Sequence, residues 1–315
     1  MAGPERSGPP RAGGVLAVTS IEEVGATMAP PAEVGERRAR VVLDTFLANR
    51  AAVAGLVLIV ALTLFSFAGP LLYHTNQVST RLGMEHLPPG PGRPLGTDEV
   101  GYDQLGRLMA GGQTSLEVAF GAAVVAVLVG VVWGATAGYF GGFVDGLMMR
   151  VVDALLAIPA LFLLLLLATM FRPDVLLLIV VVGLVAWLVP ARLVRGETLS
   201  LRTREYVLAA RTMGVRAPTI IRRHIVTNCI GTILVNATFQ VADAVLLVAA
   251  LSYLGLGIPP PAANWGSMLS NGLNFSYSGY WWMIYPPGLA IVITVVAFNM
   301  VGDGLRDAFG LARNR

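Results

Sequence analysis

The sequence predicts an all-α integral membrane protein with six transmembrane helices and both termini on the cytoplasmic side. Three observations predict it. The 315 residues are 55% hydrophobic and 13% charged, with a mean hydropathy of +0.70, a balance too apolar for a water-soluble domain. A window of about 19 residues finds segments long enough to cross a bilayer, near 51–72, 115–138, 150–171, 174–193, 229–251 and 283–302. All 22 basic residues are arginine; with a cytoplasmic N-terminus, eighteen fall inside and four (Arg81, Arg93, Arg107, Arg172) outside, which satisfies the positive-inside rule.

Residues 1–40 are rich in Gly, Pro, Ala and Arg and read as a disordered cytoplasmic tail without the apolar stretch of a signal peptide. The remainder, 41–315, opens on a span whose main polar residues are Thr63 and Ser66, so it is expected to face lipid. In the outer loop 73–114, Thr97 or Asp98 is expected to cap a short amphipathic helix carrying Leu105, Leu108 and Met109 on one face. The second span places Gly130, Gly134 and Gly138 at four-residue intervals, a spacing that lets helix backbones approach closely. Pro159, Pro190, Pro286 and Pro287 lie in or beside spans and mark potential kinks. Arg172-Pro173-Asp174 separates the third and fourth spans as the turn of a tight hairpin.

The loop 194–228 is a polar island bearing most of the arginines between spans. Thr203 is the expected N-cap of a short helix about 15 Å long, with Glu205 in its first turn and Gly214 at its stop. Pro218 suits the first turn of the helix that leads onward. On the fifth span Thr232, Asn236, Gln240 and Asp243 fall on one face. An intramembrane carboxylate needs water or a partner, so this face either lines a polar passage or bonds a neighbouring helix; Asn299 of the sixth span is the other passage residue. The outer loop 252–282 has no formal charge and carries Trp265, Tyr277, Tyr280, Trp281 and Trp282. These form either an interfacial aromatic belt or, through Trp265, Tyr277, Trp281 and Trp282, a docking surface for an external protein.

Several classes are excluded. A net charge of +3 indicates no nucleic-acid partner. The lone Cys229 forms no intrachain disulfide, and His74, His86 and His224 lack metal-ligand spacing. No phosphate-binding loop, His-Glu-x-x-His or Gly-x-Ser-x-Gly motif is present, so the chain is expected to be no enzyme and to bind no cofactor. Uphill transport would draw on an ion gradient or on a separate ATPase.

Tyr206–Gly214, followed by Arg223–Asn228, resembles the EAA loop of bacterial ABC-importer permeases. Four further stretches agree: Pro94–Asp98, Gly138–Gly142, Leu251–Gly257 and Phe298–Asp307. Together they resemble the C-type subunit of the dipeptide/oligopeptide/nickel permease family from about residue 40 onward. The resemblance implies a type I ABC importer permease fold in the bacterial plasma membrane, with lipid around it. It implies pairing with a second homologous permease subunit, two ABC ATPase subunits that bind ATP and Mg, and an extracytoplasmic solute-binding lipoprotein. Glu205, Leu208, Ala209, Ala210, Arg211 and Gly214 would couple to the ATPase, and Asn236, Gln240, Asp243 and Asn299 would line the path.

The sequence also departs from the family pattern. Leu208 replaces a frequent glutamate, Val226-Thr227 a Leu-Pro, Val248 a glutamate and Tyr102 an arginine. Di- or oligopeptides are the expected cargo, with nickel chelates, glutathione or another small solute as alternatives. A self-contained secondary transporter is the reading from a different class; it has no need of a capped docking helix and more often shows internal repeats, and none is clear here.

Overall fold

A computed structural model describes residues 3, 31–75, 79–81, 83–171 and 174–314. The chain divides into residues 1–40, described at Gly3 and the opening turns of α1, and a body of residues 41–315. Helix α1 (Pro31–Ala48) begins before the expected tail boundary at 40. Proline is favoured in a first turn, and the backbone is helical from Pro31. Residues 4–30 of the expected tail lie outside the described residues.

All regular structure among the described residues is helical. Helix α2 (Arg50–Phe67) starts at Asn49, whose Oδ1 accepts from Ala51 and Ala52 N–H. Its small residues face inward: a Cβ on Gly55 would lie 2.9 Å from Met300 Cβ. Leu56, Val57, Val60 and Leu64 are exposed, as expected of a lipid-facing span. After the four-residue α3 (Gly69–Leu72), the loop reaches Asp103, which caps α4 (Gln104–Phe140) by accepting from Gly106 N–H at 2.8 Å. The expected short amphipathic helix is therefore the first turns of α4, and its cap is neither Thr97 nor Asp98. No proline interrupts Gln104–Phe140, and glycine alone costs only about 1 kcal/mol in a helix.

Helix α4 is the axis of the body. Leu116, Val118, Ala119 and Ala122 form one buried core with Leu178, Val182, Val245 and Trp265. Toward its other end, Gly130 and Gly138 meet α8 so closely that a Cβ would sit 2.5 Å from Pro190 Cβ or 2.7 Å from Thr198 Cβ. The glycine ladder is thus a packing seam, as its spacing implies.

The segments expected as the third and fourth spans are both bent. Helices α5 (Gly142–Leu156) and α6 (Ala160–Met170) meet at 83°, and α7 (Val175–Ala186) and α8 (Leu188–Leu201) at 44°. Arg172 and Pro173, the expected hairpin turn, lie outside the described residues; α7 begins at Asp174, whose Oδ1 accepts from Leu177 N–H at 2.6 Å. Among the described residues four helices are long and apolar enough to cross a membrane, and the number is six if each bent pair is one span. The remaining elements are α9 (Glu205–Thr212), α10 (Ala217–Ile220), α11 (Ile230–Tyr253), α12 (Trp265–Asn274) and α13 (Trp281–Asn314). Helices α11 and α13 outrun the spans expected at 229–251 and 283–302 by only a few residues at one end, but α13 continues twelve residues past 302.

Candidate functional site

Three features carry the polar chemistry of the body: a short helix before α11, the polar face of α11 itself, and the outer loops beyond its far end. The first is α9. Its eight residues make it about 12 Å long, shorter than the expected 15 Å. The N-cap is Arg204, with no side-chain capping bond; Thr203, the expected cap, instead donates its hydroxyl to Ser200 O at 3.0 Å. The other end follows the sequence closely. Gly214 adopts φ +77°, Val215 N–H donates to Ala210 O at 3.1 Å and Gly214 N–H to Arg211 O at 3.0 Å. That pair of bonds is the Schellman motif, which selects glycine at its left-handed position.

The two faces of α9 do different things. Val207 and Ala210 are buried with Tyr139, Val194, Leu201, Ile220 and Ile225. Glu205, Leu208, Ala209, Arg211 and Gly214 are exposed. Ala210 was expected to meet a partner alongside Ala209, and this is corrected: three residues beyond Val207, it shares Val207's inward face and packs on the chain itself. Two arginines then tie the loop to the end of α4. The Arg211 guanidinium lies 4.3 Å from the Tyr139 ring centroid and reaches Tyr139 O at 3.4 Å. Arg202 Nη1 donates to Gly138 O at 3.0 Å. Below α9, α10 has Pro218 in its first turn, as expected, and passes through a π-turn at Ile221–Ile225 and a 3₁₀ turn at Val226–Cys229 into α11. Thr227 donates to Arg222 O at 3.1 Å and Asn228 to His224 O, holding the irregular turns in place without the Leu-Pro of related sequences.

The second feature is the polar face of α11. Thr232 donates to Glu197 Oε1 of α8 at 3.3 Å. Asn236 Oδ1 is buried without a hydrogen bond. Gln240 is buried and donates its Nε2 to Ala186 O at 2.7 Å. That carbonyl lies four residues before Pro190, which has no N–H to offer it; Gln240 supplies the missing donor at the α7–α8 bend. Asp243 is exposed toward a cavity of about 390 Å³ bounded by the α5–α6 break, the α7–α8 bend and α11. The structure thus brings Gln240 and Asp243 to one cavity, leaves Asn236 with its Oδ1 buried a turn away, and sets Glu197, which sequence reasoning missed, against Thr232. Asn299 stays apart: its Nδ2 donates to Val295 O of its own helix at 2.8 Å. Helix α13 meets α11 through Gly231 and Thr238, which by helical periodicity lie roughly opposite Asn236 and Gln240.

At the far end the two outer loops interlock. Trp265 is completely buried and donates its indole N–H to Leu108 O at 2.9 Å. Trp282 is buried and donates to Thr97 O at 3.1 Å. Both were expected in an interfacial belt or on a docking surface; both are instead internal, because a buried indole seeks an acceptor and the loop carbonyls provide one. Tyr277 and Trp281 are exposed. Asp98, also buried, accepts from Val100 and Tyr102 N–H at 3.1 and 2.8 Å and lies 3.7 Å from Arg107 Nε. Burial and the neighbouring Glu99 charge push its carboxyl up to about 6, against the opposing pull of those amides and Arg107. Arg107 also donates to Pro261 O, tying α4 to the second outer loop.

Residues 130–313 match the family of binding-protein-dependent transport system inner membrane components. Residues 38–89 match the N-terminal transmembrane domain of oligopeptide transport permease C. The oligopeptide transport system permease protein OppC of Bacillus subtilis (strain 168) is 39% identical over 263 residues, covering 84% of this chain and 86% of the relative. OppC of Escherichia coli (strain K12) is 42% identical over 265 residues, 84% and 87% of the two chains. The dipeptide transport system permease protein DppC of Bacillus subtilis is 39% identical over 260 residues, 82% and 81%.

Proposed function

Because this chain belongs to the family of binding-protein-dependent transport system inner membrane components, we propose that it is a permease subunit of an ABC importer for oligopeptides or dipeptides. It forms half of the translocation pathway, pairs with a second homologous permease, and receives cargo from an extracytoplasmic binding protein. It is multi-pass in the bacterial plasma membrane with both termini cytoplasmic. The chain itself is no enzyme; two partner ATPases bind ATP and Mg and hydrolyse the nucleotide.

The observation that carries the reading is α9, a short helix with one buried and one exposed face, clamped to α4 by Arg202 and Arg211. Such a peg transmits a push from a docked partner to the spans. Leu208 lies on its exposed face, so docking at that position relies on apolar contact, while Glu205 and Arg211 supply the exposed charges around it. The polar residues Glu197, Asn236, Gln240 and Asp243 support a passage along α11. Alternating access then follows as a two-state element biased by nucleotide at one end and by loaded binding protein at the other.

Reconstitution of the chain with its partner permease, ATPases and binding protein tests this directly. Labelled tripeptide should enter proteoliposomes only with ATP and every component present. Uptake by this chain alone, driven by an ion gradient, overturns the reading.

A further inference from the structure

The cavity beside Asp243 lies where both bent spans are interrupted. Leu155 and Pro159 reach it from the α5–α6 break, Ala186 and Leu188 from the α7–α8 bend, and Leu246 from α11. Its walls are aliphatic apart from Gln240 and Asp243, and Asp243 is the only charged residue among them. Thirteen residues from the start of α11 and ten from its end, Asp243 stands near the midpoint of the helix. No hydrogen bond or ion pair engages its carboxylate among the described residues. A lone carboxylate at membrane depth is costly unless it meets water or a cation, and a positively charged occupant of this cavity would meet that need.

The helix ends around the cavity do not change that sign. The carboxy terminus of α5 and the amino terminus of α6 both border it, and their partial charges oppose each other. Gln240 is committed to Ala186 O, the carbonyl left without a donor by Pro190. It therefore fixes the cavity wall, while Asp243 remains free to engage a ligand.

Resting on the importer reading, we propose that this cavity is a transient intramembrane site for solutes that join an ammonium group to an aliphatic side chain, as the free amino terminus of an apolar peptide does. Asp243 pairs with the ammonium, and the leucine-rich walls around the α5–α6 break take the side chain. The site holds cargo between release from the binding protein and exit past Glu197.

The test uses the full permease–ATPase assembly in nanodiscs, without the binding protein, and two probes: radiolabelled trileucine and N-acetyl-trileucine. Wild type should bind trileucine at least about tenfold more tightly than the acetylated form, a modest preference for a desolvated charge pair. Asp243→Asn should bring trileucine down to the acetylated level, and Asp243→Glu should keep most of the preference. Leu163→Trp, which fills the cavity from α6, should weaken both probes together. Equal binding of the two probes by wild type, or an unchanged preference in Asp243→Asn, overturns the proposal. So does an Asp243→Asn assembly that loses its partner permease, because the carboxylate then serves the subunit interface. ATP-driven trileucine uptake by the complete wild-type system, measured alongside, decides the importer reading separately.

Discussion

Gly214 is the residue on which the coupling role of α9 can be tested most sharply. Its φ of +77° is a left-handed conformation that an L side chain enters at a cost of about 1–2 kcal/mol. A Cβ there would meet no atom within 4 Å, so any effect of Gly214→Ala comes from the backbone and not from crowding. The opposing hold on α9 is modest. Full burial of Val207 contributes roughly 1.5–3 kcal/mol and the Ala210 methyl about 0.8 kcal/mol. Strain of 1–2 kcal/mol therefore offsets a large part of what seats the helix, and a shift of that size changes an equilibrium about 5- to 30-fold. Gly214→Ala should lower ATP-driven peptide uptake several-fold in reconstituted vesicles, Gly214→Val should lower it further, and membrane insertion should be unchanged. Gly214→Asn should recover most of the activity, because asparagine tolerates the left-handed region. Wild-type uptake by Gly214→Val, or an asparagine variant as poor as valine, would refute the argument.

The Arg211–Tyr139 contact gives a second measurement: Arg211→Ala and Tyr139→Leu should each reduce coupled uptake about two- to fivefold, the weight of a cation–π pair of 0.5–1 kcal/mol, and the double variant should be no worse than the single ones. Tyr139→Phe keeps the ring and should behave as wild type; additive losses would break the link. The outer loops should respond to pH through Asp98, whose carboxyl, at about 6 in the fold, lies above its ordinary value of 3.8. Between those two values the folded state holds the proton and the unfolded state does not, so this group's contribution to stability falls as pH rises from about 4 to 6 and stays low above it. Hydrogen exchange in residues 83–103 should slow on acidification from pH 7 to 5, and Asp98→Ala should flatten that part of the dependence; faster exchange at pH 5 would contradict the sign.

What the sequence made legible was what depends on local pattern. Apolar runs of spanning length located the long apolar helices α2, α4, α11 and α13, and arginine spacing set the expected orientation. Glycine at 214 fixed the end of α9 because the left-handed turn is a property of one residue. The four-residue spacing of Gly130, Gly134 and Gly138 gave the α4–α8 seam for the same reason. The start of α9 was less legible: Thr203 and Arg204 are adjacent, and a hydroxyl that can cap a helix can equally bond back to Ser200 O. The aromatic loop misled because a tryptophan beside a membrane surface and a tryptophan pinned to a distant carbonyl look alike in one dimension. Trp265 and Trp282 became internal only when Leu108 O and Thr97 O were brought to them.

The polar face of α11 shows where the limit falls. Periodicity placed Asn236, Gln240 and Asp243 on one side of a helix, yet it assigned them a common role. In the fold their roles separate, and the cause is a proline fifty residues away. Pro190 withholds a donor from Ala186 O within a span, where water cannot make good the loss; Gln240 does so from α11. Replacing Gln240 with leucine would leave that carbonyl without its donor beside the cavity, at a cost of about 1–3 kcal/mol, and the strain would fall on the bend that forms one wall of the cavity. Asp243, one turn further along, carries no such structural duty among the described residues. A proline and a glutamine that are unremarkable singly thus act as one joint, and that joint leaves the neighbouring carboxylate available for cargo.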